Sequence, residues 1–99
     1  MAAVTSVLKA LSNPNRMRVY QVICRRTGAR RDGLTIERIC KHTGMKQPAV
    51  SHHVANLTQA GLIVRTKSKW WVHCAPDPEG LALLRRFARN PAAFPLDGR

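Results

Sequence analysis

The sequence predicts a mainly α-helical domain carrying one small β-hairpin. Three observations support this. Two amphipathic stretches, Thr35 to Thr43 and Gln47 to Gln59, are separated only by Gly44, Met45 and Lys46. Two short runs of strand-forming residues follow, Leu62 to Thr66 and Trp70 to Cys74. Elsewhere apolar residues recur at the three-to-four spacing of helices rather than alternating.

Val4, Val7, Leu8 and Leu11 place a first short helix over Thr5 to Leu11, stopped by Asn13-Pro14-Asn15. Asn15 is read as the cap of a second helix. That helix carries Met17, Tyr20, Ile23 and Cys24 on one face with Val19 beside them. Arg25 and Arg26 fall at its end, where the dipole favours cations. Thr27 to Gly33 is a basic turn region with two glycines. Leu34 reads as a brief strand, and Thr35 as the cap of a third helix with Glu37 in its first turn. Ile36, Ile39, Cys40 and Thr43 line its inner face, and Gly44 takes the C-terminal glycine position.

The fourth helix opens at Gln47-Pro48, where a missing N–H costs nothing. Its apolar stripe is Val50, Val54 and Leu57, and Gly61 ends it. Lys67, Ser68 and Lys69 form the hairpin tip, read as a polar loop rather than a tight Asn-Gly turn. Asp77-Pro78-Glu79 combines a cap, a first-turn proline and an acid near the positive dipole end. The last helix follows, with Leu81, Leu84, Phe87 and Ala88 as its stripe and Asn90-Pro91 as its close. Residues 1–90 make one domain, and 91–99 are expected to be a loose tail.

Two helices across a tight glycine turn form a helix-turn-helix, whose second helix enters the major groove; the hairpin behind it is a wing. The expected fold is therefore a winged helix-turn-helix, with five helices and a two-stranded wing.

Charge points to the partner. Lys and Arg number 17 against 5 acids, a formal net charge of +12. Thirteen of these cations, with only Asp32 and Glu37 against them, precede Asp77, so the excess belongs to the first three quarters of the chain. Nucleic acid is the first partner for such a charge and anionic membrane the second. No apolar run approaches a spanning length, which argues against a membrane. The opening residues lack a signal-peptide pattern, so a cytoplasmic location is expected. A chain of 99 residues buries only part of its apolar surface and gains from a partner.

Three cysteines, an odd number without C-x-x-C spacing, argue against a disulfide framework or a zinc finger. His42, His52, His53 and His73 form no metal-binding pattern, so neither metal nor cofactor is expected. The few acids are scattered and no glycine-rich phosphate loop is present, so no enzyme is expected.

Several segments resemble the ArsR/SmtB family of repressors: LKALSNPNRMRVYQVI, TIERICKHTGMKQPAVSHHVANLTQAGLI and WWVHCAPDPEGL. The most specific part is Gln47-Pro48-Ala49-Val50-Ser51-His52-His53, followed by Leu57 and Ala60-Gly61-Leu62. The resemblance covers nearly the whole chain. It implies a homodimer held by the first and last helices, double-stranded operator DNA with two half-sites, and repression relieved by an effector. On that reading Val4, Val7, Leu8, Leu11, Leu81, Leu84 and Phe87 build the dimer.

Lys46, Gln47, Ala49, Ser51, His52 and His53 are the DNA-contacting candidates of the recognition helix. Gln can pair with adenine edges, and Ser and His can reach bases or phosphates; the plain alternative is a solvated helix face. His53 lies beside the apolar stripe and is either a contact or a buried, hydrogen-bonded histidine. Lys46 stands where the family has a serine cap. It opposes the helix dipole and is read as a phosphate contact. In the wing, Arg65, Lys67 and Lys69 can reach the backbone or minor groove, against the alternative of an ordinary charged edge. Trp71 matches a family position, and Trp70 beside it points to the opposite face, so one is expected in the core. Arg16, Arg18, Arg30 and Arg31 stay unassigned between DNA flanks and a solvated face.

Cys24 and Cys40 are read as core residues; Cys74 is the best of the three for thiol reactivity, although plain packing is the first reading there too. The resembling family's metal sites do not transfer. The stretch matching its third-helix cysteines is Thr35-Ile36-Glu37, and Glu79 to Asn90 offers only Glu79 and arginines in place of acids and histidines. The expected function is a dimeric, sequence-specific repressor with an unidentified effector. The alternatives are an effector-independent nucleic-acid module and a cysteine-based redox-sensing repressor.

Overall fold

A computed structural model describes residues 3–27 and 33–95. Five α-helices, a three-stranded sheet and a closing 3-10 turn follow in the order α1 (Val4–Leu11), α2 (Pro14–Thr27), β1 (Leu34–Thr35), α3 (Ile36–Thr43), α4 (Gln47–Gln59), β2 (Ile63–Ser68), β3 (Trp71–Pro76), α5 (Pro78–Arg89) and Pro91–Ala93. This is the winged helix-turn-helix that the sequence predicts, with one addition. The wing hairpin gains a third strand, because β1 pairs antiparallel with β3, Leu34 opposite Cys74 and Thr35 opposite His73. The sheet order is β1-β3-β2.

The core draws on nearly every element. Val7 of α1, Val19 and Ile23 of α2, Ile39 of α3 and Val50, Val54 and Leu57 of α4 meet Leu34, Leu62, Ile63 and Cys74, all essentially inaccessible. Burying an aliphatic side chain of this size stabilises by roughly 1.5–3 kcal/mol. Val50, Val54 and Leu57 thus lock the inner face of α4, and its other face is held outward.

Local signals set the boundaries. The Arg38 N–H donates to Thr35 Oγ1 at 3.3 Å, the cap expected for α3. Gly44 closes α3 in the left-handed region at φ 75°, its N–H donating to the Cys40 carbonyl at 2.8 Å. The Glu79 N–H donates to Asp77 Oδ1 at 3.0 Å and opens α5. The cap of α2 is Asn13, not Asn15: Asn13 Oδ1 accepts the Arg16 N–H at 3.0 Å, and Pro14 takes the first helical position. Asn13-Pro14 uses the same chemistry as Asp77-Pro78.

Several expectations are corrected. Met17 is exposed, and Val19 rather than Cys24 joins Tyr20 and Ile23 inside, with Cys24 only half-buried. On α5 the inward side is Gly80, Leu83 and Leu84, so the packing stripe is rotated away from Leu81 and Ala88. Gly80 is there for close approach: a Cβ on it would stand 2.2 Å from the Gly61 carbonyl oxygen. The segment after Asn90 is not loose as far as Phe94. Pro91–Ala93 turns it back so that Phe94 meets Phe87 edge-on at 5.3 Å, with the Arg86 guanidinium over the Phe94 ring. The basic stretch 28–32, with Arg30 and Arg31, and residues 96–99 lie outside the described residues.

The hairpin is longer and tighter than expected. Lys67 pairs with Val72 and Ser68 with Trp71, so the turn is the two residues Lys69-Trp70. Lys69 takes φ 45°, the left-handed conformation a two-residue hairpin turn demands. Neither tryptophan is in the core. Trp70 is 87 % exposed at the apex and Trp71 is 51 % exposed. Trp70 stands in the turn itself, and Trp71 lies at the mouth of an open cleft shared with Glu37, Arg38, Lys41 and His42 of α3.

Candidate nucleic-acid interface

Two exposed elements frame the site. On α4, Gln47, Ala49, Ser51 and His52 are exposed, opposite the buried stripe. Lys46 is the N-cap residue with extended backbone, and its side chain makes no cap hydrogen bond, leaving the ammonium free at the helix entrance. His53 is half-buried. Desolvation first, then Arg16 and His52, hold its pKa below the usual histidine value. It is therefore neutral near pH 7, and its Nδ1 is buried without a protein hydrogen-bond partner.

Asn56 belongs to this surface although the sequence reading passed over it. Its side-chain amide donates to the His52 carbonyl oxygen and approaches His52 Nε2, both at 3.2 Å. The i, i+4 spacing was the available signal. The pair restrains the His52 ring on the outer face of α4.

The wing supplies the cations. Arg65, Lys67 and Lys69 are exposed. Arg65 stands opposite Cys74 and Lys67 opposite Val72, and directly opposed residues share a sheet face. Cys74 is buried against the helices, so Arg65 and Lys67 lie on the helix-facing side of the wing, beyond the edge of the core.

Two unassigned arginines prove structural. Arg16 Nε donates to the Ala10 carbonyl at 2.7 Å, at the end of α1, and an Arg18 guanidinium N–H donates to the Thr43 carbonyl at 2.6 Å, at the end of α3. Helix C-termini carry unpaired carbonyls and negative dipole ends, which cations satisfy. Thr43 Oγ1 meanwhile accepts the Met45 N–H at 3.2 Å, stiffening the turn between α3 and α4.

Of the three cysteines, Cys74 is the most buried. Cys74 is fully inaccessible, and burial pushes its thiol pKa up despite the nearby Arg65. Burial also raises the Cys24 thiol. Cys40 is half-buried. The strand position of Cys74 faces the core, which fits the packing reading. Among the described residues no group of three or more His, Cys, Asp or Glu is placed to hold a metal ion. No helix there is long and apolar enough to cross a membrane.

Val7 cannot serve a dimer surface, because it is fully buried within the chain. Leu11 and Leu84 also pack against the core. Leu8 is 42 % exposed, and Val4 and Leu81 are partly open. α1 and α5 pack on one another and carry these residues together.

A family model described as a helix-turn-helix domain matches residues 11–66, from the end of α1 through most of β2. The chain belongs to that helix-turn-helix family. Comparison with solved structures shows the same winged helix-turn-helix fold. A possible transcriptional regulator for arsenical resistance is 29 % identical, with a TM-score of 0.69 over 85 % of this chain and 81 % of that one. The homodimeric winged helix-turn-helix DNA-binding domain of a possible ArsR-family regulator from Mycobacterium bovis is 22 % identical, with a TM-score of 0.69 over 97 % and 83 % of the two chains. An ArsR-like transcriptional regulator from Rhodococcus sp. RHA1 gives 20 % identity and a TM-score of 0.73 over 91 % and 80 %. No curated protein sequence matches the chain. Within this helix-turn-helix, α3 and α4 are the paired helices, and β2 and β3 the wing.

Proposed function

We propose that this protein is a DNA-binding transcriptional regulator that acts as a homodimeric, sequence-specific repressor of the ArsR type, released from its operator by an effector. One observation carries the reading. The face of α4 opposite its buried stripe presents Gln47, Ser51 and His52, and the cations Arg65 and Lys67 stand on the helix-facing side of the wing. Amide, hydroxyl and imidazole groups suit base edges, and lysine and arginine suit phosphates. The net charge of +12 agrees with a polyanionic partner. The similar possible transcriptional regulator for arsenical resistance and the homodimeric DNA-binding domain from Mycobacterium bovis support the same reading.

In this reading Gln47, Ala49, Ser51 and His52 read bases, and Lys46, Arg65, Lys67 and Lys69 hold phosphates. Neutral His53 supports the helix from its half-buried position. The dimer uses the open residues of the α1–α5 layer, Val4, Leu8, Leu81 and Phe87, with Leu11 and Leu84 beneath them.

Duplex binding measured against salt tests the proposal. Each neutralised phosphate adds roughly 0.9 to the slope of log affinity against log salt, so a dimer gives a steep slope. Gln47→Ala lowers the preference for DNA upstream of the protein's own gene over random duplex; Lys67→Ala weakens both alike. Leu8→Asp, at an exposed position, yields a folded monomer with weakened binding. A flat salt slope, or a fully active Leu8→Asp monomer, refutes the corresponding part.

A further inference from the structure

The outermost part of the wing is apolar as well as cationic. Trp70 is 87 % exposed, and the two residues that follow it, Trp71 and Val72, are exposed as well. Isolated apolar residues on a surface need no explanation, but two tryptophans in succession at the tip of a cationic hairpin point to an interaction site. The chain has only two tryptophans, and both stand here.

The turn brings Trp70 forward. The last ladder pair is Ser68 with Trp71, so only Lys69 and Trp70 lie beyond it. Lys69 holds φ 45°, a conformation that costs a non-glycine residue free energy. The wing therefore ends in an indole flanked by Lys67 and Lys69, with Arg65 further back. This combination fits a narrow polyanionic groove with flat apolar surfaces inside it. Proteins that enter the minor groove pair cations, which follow the phosphates, with an apolar wedge set against a base step.

We propose that Trp70 is a DNA-contacting wedge, seating its indole in the minor groove beside the site read by α4, with Lys67 and Lys69 on the flanking phosphates. The inference rests on the DNA-binding function proposed above and deepens it. The preferred sites are flexible pyrimidine–purine steps such as TA, which unstack at least cost. Specificity then has a second source, the deformability of DNA under the wing, besides the bases facing α4.

The wedge and the cations leave different signatures. An indole neutralises no phosphate, so its removal lowers affinity at every salt concentration and leaves the salt slope unchanged. Loss of a lysine lowers the slope itself. Alanine substitution of a base-stacking aromatic costs roughly a five- to hundredfold loss of affinity.

The experiment uses the full chain with two short duplexes, one of alternating A/T and one of alternating G/C sequence. Trp71→Phe leaves Trp70 as the sole indole emitter. The expected result is quenching of Trp70 emission on the A/T duplex and weaker binding to the G/C duplex. Trp70→Ala then loses five- to hundredfold in affinity at constant salt slope, and Trp70→Phe recovers most of the loss. Circular dichroism of each variant confirms the fold. Lys67→Ala, with a salt slope lowered by about 0.9, reports independently on DNA binding. If that slope falls while Trp70→Ala binds as tightly as the parent, the wedge is refuted and the DNA-binding function stands. If the parent binds neither duplex in a salt-dependent way, both fall. Emission that responds to phosphatidylserine vesicles but to neither duplex, or to protein concentration alone, assigns Trp70 to a membrane or to a second copy and overturns the proposal.

Discussion

The two ends of β3 behave as different materials although they belong to one strand. At Cys74 the strand lies between β1 and β2, with helices packed on it, and the side chain is inaccessible. Three residues earlier, Trp71 pairs only with Ser68, and half of its surface meets solvent. The larger and more apolar residue is outside and the small thiol inside. Sheet face decides burial here, not hydrophobicity: Cys74 points at the core, and Trp71, an odd number of residues away, points to the other side. The body of the domain is held by packing on every side, and the outer wing only by its own ladder. The body therefore carries stability, and the outer wing is free to meet a partner.

The contrast is most sharply tested by thiol chemistry. Cys74 should react with a neutral alkylating reagent only when the domain opens globally, on the order of a thousandfold or more slower than a free thiol. Half-buried Cys40 reacts first. Peptide mapping of a timed native labelling reaction gives the order, and early modification of Cys74 would mean that the sheet opens locally.

Core truncation comes next. Ile39→Ala empties a fully buried site and should cost about 2–5 kcal/mol in urea unfolding. Val72→Ala, 37 % exposed on the wing, should stay within about 0.5 kcal/mol. Equal losses would erase the distinction between body and wing.

Glycines sharpen it further. Gly80→Ala drives a Cβ to 2.2 Å from a backbone oxygen and should cost about 1–3 kcal/mol or more. Gly44→Ala meets nothing within 4 Å and suffers only from its positive φ, roughly 1–2 kcal/mol. Thermal melts of both variants distinguish collision from backbone strain.

Arg18→Met keeps the aliphatic stem but removes the donor to the Thr43 carbonyl, and should cost about 1 kcal/mol. The α3–α4 turn loosens with it, which hydrogen exchange at Met45 would register.

The smallest effect is pH dependence. His53 is held below the usual histidine pKa by burial, Arg16 and His52, and His42 by desolvation and the cations Arg26, Arg38 and Lys41. The unfolded chain takes up protons near pH 6.5 while the folded chain resists, so unfolding binds protons. The stability due to these groups is complete above about pH 6.5 and declines as pH falls toward the folded-state values. Melting temperature should drop modestly over that interval, and less in His53→Gln. A rise instead would mean that a folded-state partner favours the charged imidazole.

Much of this architecture was legible because local chemistry writes it. Thr35, Gly44, Pro48, Asp77 and Gly61 sit at helix ends for reasons that concern a few neighbouring atoms, and α4 ran from Gln47 to Gln59 as its stripe indicated. The misplaced features depended on distant partners. The α2 cap is the exception, moved from Asn15 to Asn13 by the neighbouring Pro14 in the first helical position. The α5 stripe was misjudged because Gly80, an unpromising core residue, meets the backbone of Gly61. The third strand was seen only as a possibility at Leu34, since two residues carry no periodicity.

The candidate interface divides the same way. The outward side of α4 followed from helical periodicity once Val50, Val54 and Leu57 were assigned inward. The roles of Arg16 and Arg18 did not, because an arginine in sequence looks the same whether it faces phosphate or a helix end; tertiary contact with Ala10 and Thr43 decided it. Sequence by itself determined the helices, the caps of α3 and α5, the turn between α3 and α4 and the basic character of the chain, since each depends on interactions within a few residues or on plain counting. Only the tertiary structure decided which apolar residues are core. Cys74 is buried and Trp70 bare because burial depends on what stands opposite: Cys74 faces the core, and Trp70 occupies the turn beyond the last ladder pair.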